Sequence, residues 1–150
     1  MKKTDIAYIA GLFDGEGCIM INKTIYRPRT YYQLYVQVNM SSQWIIEYLQ
    51  FTFGGSVHKY EHSQYYPNAK PQWAWKAYGL AAVEFLKAMM PYLKLKKSQA
   101  ELGLLFQSKK LSKSDYLREA HPNKRFRTDE ELAVEEAQFI LMKELKKSEA

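Results

Sequence analysis

The sequence predicts an α+β domain in which helices cover one face of a four-stranded antiparallel sheet. Segments with the two-residue alternation of strands occur as two pairs, and a turn or loop separates the members of each pair. Segments with helically spaced apolar residues precede, separate and follow these pairs. The predicted order is therefore αββαββα, followed by additional C-terminal helices.

The first strand pair and the helix after it have the clearest pattern. Residues 18–26 are rich in isoleucine, and residues 31–39 alternate so that Leu34, Val36 and Val38 share one face. Ser41 or Ser42 caps the next helix in this prediction, and a Gly-Gly pair ends it. In order, the predicted elements are a first helix that contains residues 6–13 and ends at Asp14 and Glu16, strands over 18–26 and 31–39, a helix with its body at 44–49, strands over 56–60 and 73–78, and helices over 80–90, 98–111 and 128–147.

The second half of the chain is bounded by turn and cap residues. Val57, Trp73, Trp75 and Ala77 form the apolar face of the second hairpin. Pro91 ends the helix that follows, and a Thr-x-x-Glu capping box opens the last helix. Residues 112–127 are polar and basic without a clear period, so we predict a basic loop there.

Length and composition indicate one globular domain. The chain has 150 residues, of which 47% are hydrophobic and 15% aromatic, and this is enough to bury a core. We expect a single domain over residues 1–150, with its core at about 5–111 and a basic loop and C-terminal helix over 112–150. The net charge of +6 is typical of a protein with a polyanionic partner.

Cysteine usage and hydropathy exclude several classes of protein. The single cysteine, Cys18, excludes an internal disulfide and suits a reducing compartment. His58 and His62 lie in a strand-like segment and make no zinc site with this lone thiol. Because there is no signal peptide and no apolar run of spanning length, we expect a soluble intracellular protein, cytoplasmic or organellar, without a membrane partner.

The hairpins have the composition of a DNA-reading surface. A solvated sheet face normally mixes acids and bases, whereas residues 18–39 and 56–78 contain several cations and the single acid Glu61. Amides pair with base edges, arginine suits guanine, and a strand ribbon fits the major groove. The predicted DNA-binding residues are Asn22, Tyr26, Arg27, Arg29, Tyr31, Gln33, Tyr35, Gln37, Lys59, Gln72 and Lys76.

The segment Ile9-Ala10-Gly11-Leu12-Phe13-Asp14-Gly15-Glu16-Gly17 combines two unusual features. Gly11 and Gly15 are four residues apart, and Ala7 extends this small-residue face. Glycine inside a helix costs up to ~1 kcal/mol, so close approach by a second helix is the expected reason for it. Asp14 and Glu16 fall at the helix C-terminus, where the macrodipole disfavours negative charge and a bound cation would offset it. An ordinary acid-glycine turn is the structural alternative.

These nine residues, IAGLFDGEG, resemble the signature of the LAGLIDADG homing endonucleases. No second Gly-x-x-Asp-Gly-Glu-Gly follows residue 17, so the resemblance is to single-motif members and implies a homodimer with one acid motif per chain. It implies motif helices that pack together through Ala7, Gly11, Asp14 and Gly15, and a curved four-stranded sheet lying on double-stranded DNA. It also implies that Asp14 braces the helix ends rather than binding metal.

Residues 91–100 resemble the segment after the third core helix in single-motif family members. By this resemblance Lys96 is at the position of the family's catalytic lysine, and Lys97 is the less favoured alternative. The structural alternative is that these lysines belong to an ordinary basic surface turn. The family often has a polar residue that holds active-site water where this chain has Met40. Gln37 or Asn39 is the expected substitute, or the water is held differently.

The resemblance implies a site-specific homing endonuclease that breaks both strands of a long, near-palindromic target by metal-dependent hydrolysis. Glu16 and Lys96 would be catalytic, and Glu16 with the Gly15 carbonyl would hold Mg²⁺, with Mn²⁺ as a substitute. The gene would lie in an intron or an intein, or be free-standing. Two alternatives stay open: a non-cleaving DNA-binding regulator, and an intron-splicing RNA-binding protein that uses the basic segment 109–127.

Overall fold

Over the residues that it describes, the computed structural model has one antiparallel sheet and five helices. It describes residues 1–27, 29–61, 67–120 and 127–148, with the side chains of residues 111–120 excepted. The predicted roles of His62 and of the basic side chains at 111–126 lie outside the described residues. The elements are α1 (Lys3–Glu16), β1 (Gly17–Tyr26), β2 (Arg29–Met40), α2 (Gln43–Phe53), β3 (Ser56–Tyr60), β4 (Gln72–Tyr78), α3 (Gly79–Met89), α4 (Lys97–Ala120) and α5 (Asp129–Ser148).

The sheet has the strand order β1-β2-β4-β3, and each neighbouring pair is antiparallel. Because directly paired residues share a face, the pairing of Val38 with Trp75 and of Val57 with Trp75 puts these apolar side chains on one side. The helices cover that side, and the polar members of the strands form the other. The α+β class and the αββαββα order are confirmed.

The signature helix α1 is anchored in the core by Phe13. This ring is fully buried and meets Phe85 edge-on at 4.9 Å, and Phe85 lies 4.9 Å from Trp75. A Cβ atom on Gly17 would collide with the Phe13 ring. The last glycine of the signature is therefore required by close packing where α1 turns into β1.

Helix α4 is longer than the sequence pattern predicted, because its backbone stays helical to Ala120. The predicted loop at 112–127 is wrong for residues 112–120. Residues 109–120 are mostly good helix formers and contain neither glycine nor proline, so propensity sustains a helix that has no apolar stripe.

Helix α5 packs against β1, β2 and α4. Its Glu136 carboxylate is 2.8 Å from the Lys23 ammonium and also accepts a hydrogen bond from the Tyr32 hydroxyl. These hydrogen bonds, from Lys23 first and Tyr32 second, lower the pKa of Glu136. The Phe139 ring lies 6.0 Å from Tyr32, so α5 is fixed to the sheet by both charge and packing.

A second polar cluster joins α5 to α4. The Glu135 carboxylate is 3.2 Å from Arg127 and 3.8 Å from Lys110, whose ammonium also donates to the Tyr32 carbonyl. Burial lowers the pKa of Lys110. The Thr128 hydroxyl accepts a hydrogen bond from the Glu131 amide at 3.2 Å, as expected of the predicted cap.

Among the described residues, no helix is long and apolar enough to cross a membrane.

Candidate functional site

Asp14 joins the end of α1 to the start of α4. Its carboxylate accepts hydrogen bonds from the amides of Lys94 at 2.8 Å, Leu95 at 3.3 Å and Lys96 at 3.1 Å. A carboxylate at the N-terminus of α4 is favoured by that helix dipole, which offsets its unfavourable place at the end of α1. This side chain therefore holds the 94–96 turn against the signature.

The Lys96 side chain points back to the same junction. Its ammonium donates to the Asp14 backbone carbonyl, one of the groups that the end of α1 leaves without a helical partner. The structure thus brings together the two segments that carried the family resemblance, although 82 residues separate Asp14 from Lys96.

A cavity of about 310 Å³ lies at this junction, and Gly15 and Lys96 both line it. Sequence reasoning missed two of its polar members, the buried Gln99 and the half-buried Lys146. Gln99 could have been found, because it lies three residues after Lys96 at the start of α4. No spacing in the sequence connects Lys146 with this site. The lining residues are Asp14, Gly15, Cys18, Leu95, Lys96, Gln99 and Lys146.

Glu16 is the last residue of α1 and is exposed beside the cavity rather than part of its lining. It makes no hydrogen bond or ion pair with any described residue. Those residues also contain no group of three or more His, Cys, Asp or Glu side chains arranged to hold a metal. Magnesium suits such a sparse site, because it is commonly held by one or two carboxylates, retained waters and substrate phosphates. Glu16 and the Gly15 carbonyl therefore fit the expected ion.

The outer face of the sheet collects nearly all of the predicted DNA-binding residues. The pairings of Asn22 with Gln33 and of Gln37 with Lys76 set the face on which they lie. His58 and Tyr60 also lie there, and the alternation from Val57 could have identified them. Arg27 is exposed in the turn after β1. The predicted residues on this face are Asn22, Tyr26, Arg29, Tyr31, Gln33, Tyr35, Gln37, Gln72 and Lys76.

Lys59 is placed differently from the other predicted DNA-binding residues. It pairs with Trp73, so it lies on the helix-covered side of the sheet, close to the free edge of β3. Its ammonium is 3.4 Å from Glu61 and 5.7 Å from the centre of the Trp73 ring. Strand alternation therefore turns Lys59 away from the outer face, and DNA binding by Lys59 stays a prediction.

Side chains on the outer face also contact one another. Tyr35 stacks on Tyr78 at 5.3 Å, and its hydroxyl lies 3.1 Å from the Met20 sulfur. Burial raises the pKa of Tyr35. The Gln37 amide donates to the Asn39 side-chain oxygen at 2.7 Å, which orients both amides before any ligand is present.

Met40 pairs with Trp73 and is half-buried against the core. It therefore lies on the side of the sheet away from Gln37 and Asn39. Since a thioether is only a weak acceptor, Met40 does not replace the polar residue that the family often has there.

The comparisons with known proteins agree with this geometry. A family model described as LAGLIDADG endonuclease matches residues 9–71. The fold is similar to that of the homing endonuclease I-CvuI in complex with its target, with a TM-score of 0.63, 20% identity and 96% of each chain covered. It is also similar to the homing endonuclease I-TnaI, with a TM-score of 0.62, 15% identity, and 100% of this chain and 99% of that chain covered.

A third similar structure is the I-SmaMI LAGLIDADG homing endonuclease bound to cleaved DNA. The TM-score is 0.67 at 14% identity, and the match covers 90% of this chain but 42% of that one. No curated protein matches the sequence. The recognition based on residues 9–17 is confirmed by the family model and by the fold.

Proposed function

We propose that this chain, which carries the signature and the fold of the LAGLIDADG endonucleases, is a homing endonuclease that cuts both strands of a long, near-palindromic DNA target. The observation that carries the proposal is the junction of α1 and α4. There, the Asp14 carboxylate holds the Lys96 amide at 3.1 Å, so the acidic signature and the lysine meet at one cavity. An acid and a cation at the edge of a polar sheet face suit hydrolysis of a phosphodiester lying on that face.

The proposed roles divide the chemistry among few residues. Glu16 and the Gly15 carbonyl hold Mg²⁺, which when bound lowers the pKa of a coordinated water and neutralises charge at the phosphate. Lys96 stabilises the negative charge that develops on the phosphate oxygens. Asp14 fixes the backbone of the 94–96 turn and thereby positions Lys96. Mn²⁺ also suits these oxygen ligands.

The proposed DNA surface is the outer face of the sheet. Its amides, aromatic rings and cations lie together, and among the described outer-face residues of the four strands there is no Asp or Glu. Such a face suits a strand ribbon in the major groove, with Gln33, Gln37 and Gln72 as donors and acceptors for base edges. Arg27 and Arg29 at the β1-β2 turn extend it toward the DNA backbone.

A homodimer completes the proposal. Ala7, Gly11 and Gly15 are exposed, and Tyr8 on the same helix is 59% exposed. A Cβ atom on Gly11 or Gly15 would meet nothing within 4 Å, so no described residue of this chain makes the close approach that the two glycines allow. A second copy of α1 fits this open face and brings a second Glu16 for the other DNA strand.

A non-cleaving DNA-binding protein on the same fold is the second candidate. Met40 supports it, because the position at which the family often holds water has no strong hydrogen-bonding group here. Glu16 and Lys96 support cleavage instead, because a protein that only binds DNA needs neither a metal-binding acid nor a catalytic lysine.

The test is a selection followed by a cleavage assay. Randomised duplex DNA is first bound to the protein with Ca²⁺, and the recovered sequences are then incubated with Mg²⁺. Endonuclease function predicts a long, near-palindromic consensus that is cut on both strands. Specific binding without any strand cut in Mg²⁺ or Mn²⁺ would contradict the proposed activity and support a regulator.

A further inference from the structure

Lys146 reaches the candidate cleavage site from the far end of the chain. It lies in the last turn of α5, and it lines the same cavity as Asp14, Gly15 and Lys96. Its ammonium is 3.1 Å from the Cys18 sulfur, two residues beyond Glu16. The site therefore contains a second lysine in addition to Lys96, the lysine that the family resemblance identified.

The packing of α5 explains why this lysine faces inward. Glu135, Phe139, Met142 and Lys146 are spaced four, three and four residues apart, which places them on one face of the helix. Met142 is 2% exposed, and Phe139 packs against Tyr32. Lys146 is the last residue of this inward face.

The other lysines of α5 have conventional partners. Lys147 is 3.1 Å from Glu144, and Lys143 lies 4.3 Å from the centre of the Phe139 ring. Lys146 instead contacts a thiol, which is a weak acceptor. The nearby Asp14 carboxylate already accepts three backbone hydrogen bonds. In the part of the chain that the structure describes, Lys146 forms no ion pair.

An ammonium that is half-buried, faces a cavity and has no carboxylate partner of its own is suited to bind an anion. We propose that Lys146 is a second catalytic lysine, which contacts the scissile phosphate together with Lys96. This proposal rests on the endonuclease function proposed above. The anion that Lys146 contacts is a phosphodiester of the bound DNA.

The step that Lys146 assists is ordinary hydrolysis. A water oxygen forms a bond to phosphorus while one phosphorus-oxygen ester bond breaks, the water loses a proton to solvent, and the leaving sugar oxygen takes one up. Negative charge grows on the phosphate oxygens during this exchange, and a fixed ammonium stabilises it. Lys146 transfers no proton in this scheme and acts through its charge.

The test compares variants at position 146 in the full chain. Single-turnover cleavage is measured with saturating protein and Mg²⁺, and the dissociation constant is measured separately in Ca²⁺. Lys146→Ala should cut about 100- to 1,000-fold more slowly and bind within about threefold of the unmodified protein. Lys146→Met, which keeps the apolar stem, should show the same loss, and Lys146→Arg should restore most of the rate.

Lys147→Ala is the matched control, because Lys147 is the next residue of α5 and is exposed; it should cut at the normal rate. If Lys146→Met is folded and cuts at the normal rate, or loses only affinity, the role of Lys146 is disproved while the endonuclease function stands. If the unmodified protein cuts no DNA, the endonuclease function and the role of Lys146 are both disproved.

Discussion

Asp14 shows at the scale of single residues how this signature works. The carboxylate accepts hydrogen bonds from three consecutive amides in the 94–96 turn just before α4, while Phe13 beside it is fully buried. Gly15 leaves its helix face open, and Gly17 makes room for the Phe13 ring. Each of these positions therefore has its own physical constraint, and Glu16 is the acid of the signature that remains exposed.

The change Asp14→Asn tests the bracing role of this side chain. The asparagine would keep one acceptor oxygen but lose the charge favoured at the N-terminus of α4, so we expect stability to fall by about 1–2 kcal/mol. Chemical unfolding measures this loss, and single-turnover cleavage should fall less than for a change at Glu16. A cleavage defect of orders of magnitude with unchanged stability would instead make Asp14 a direct participant in the chemistry.

At the scale of elements, α5 is held to the sheet by Glu136, and this contact predicts a pH dependence. The folded pKa of Glu136 is lowered, so its contribution to stability is complete above the ordinary carboxyl value of about 4.3 and is lost as pH falls through the folded value. The same hydrogen bond raises the pKa of Lys23, whose contribution is lost only as pH rises above its ordinary value of about 10.4.

Glu136→Gln should therefore lower the thermal midpoint at pH 6, and its difference from the unmodified protein should shrink as the pH approaches 3. Thermal unfolding monitored by circular dichroism at a series of pH values measures this. Glu101→Gln on the exposed face of α4 is the control and should follow the unmodified protein. A difference that stays constant from pH 3 to pH 6 would show that the Glu136 charge does not hold α5.

The sheet makes a separate prediction about target preference. Gln33 is exposed on the outer face opposite Asn22, so Gln33→Ala should relax preference at one or two base pairs, at about 1–3 kcal/mol each. Binding to a set of single-substitution targets in Ca²⁺ measures this. Lys59→Ala on the other face should leave the preference unchanged. Equal weakening on every target would show that Gln33 is not a base reader.

Elements with strong periodicity were predictable from the sequence, and contacts between distant elements were not. The alternation in β2 fixed which residues share its outer face, and the resemblance at residues 91–100 led to Lys96 before the structure placed it beside Asp14. The helix at 112–120 has no apolar period, and Lys146 reaches the cavity only through the packing of α5. Spacing encodes neither of these features, because helix propensity sustains the 112–120 segment and tertiary contacts place Lys146.

At the scale of the whole molecule, the open glycine face of α1 predicts assembly. A Cβ atom at position 11 would meet nothing within 4 Å in one chain, and leucine there should improve helix propensity by about 1 kcal/mol, so the monomer should still fold. The same side chain would hold two copies of α1 apart. We therefore expect Gly11→Leu to be folded, monomeric and unable to break both strands.

Light scattering with circular dichroism checks both parts of this prediction. Ala7→Ser, a small change on the same face, is the control and should stay dimeric. An unmodified protein that is monomeric when bound to DNA and still cuts both strands would contradict the dimer.

Binding of DNA should also weaken steeply with added salt, because phosphate contacts release counterions.

The most direct test of the central claim is single-turnover cleavage of the selected target by Glu16→Gln in Mg²⁺, beside its binding isotherm without a divalent cation. Glutamine keeps the size of the side chain and removes the charge that attracts Mg²⁺. We predict that cleavage falls by orders of magnitude while DNA affinity is kept or rises, since an unpaired carboxylate repels phosphate. Cleavage by Glu16→Gln at the normal rate would contradict the account, because the signature would then be a structural turn and the chemistry would lie elsewhere.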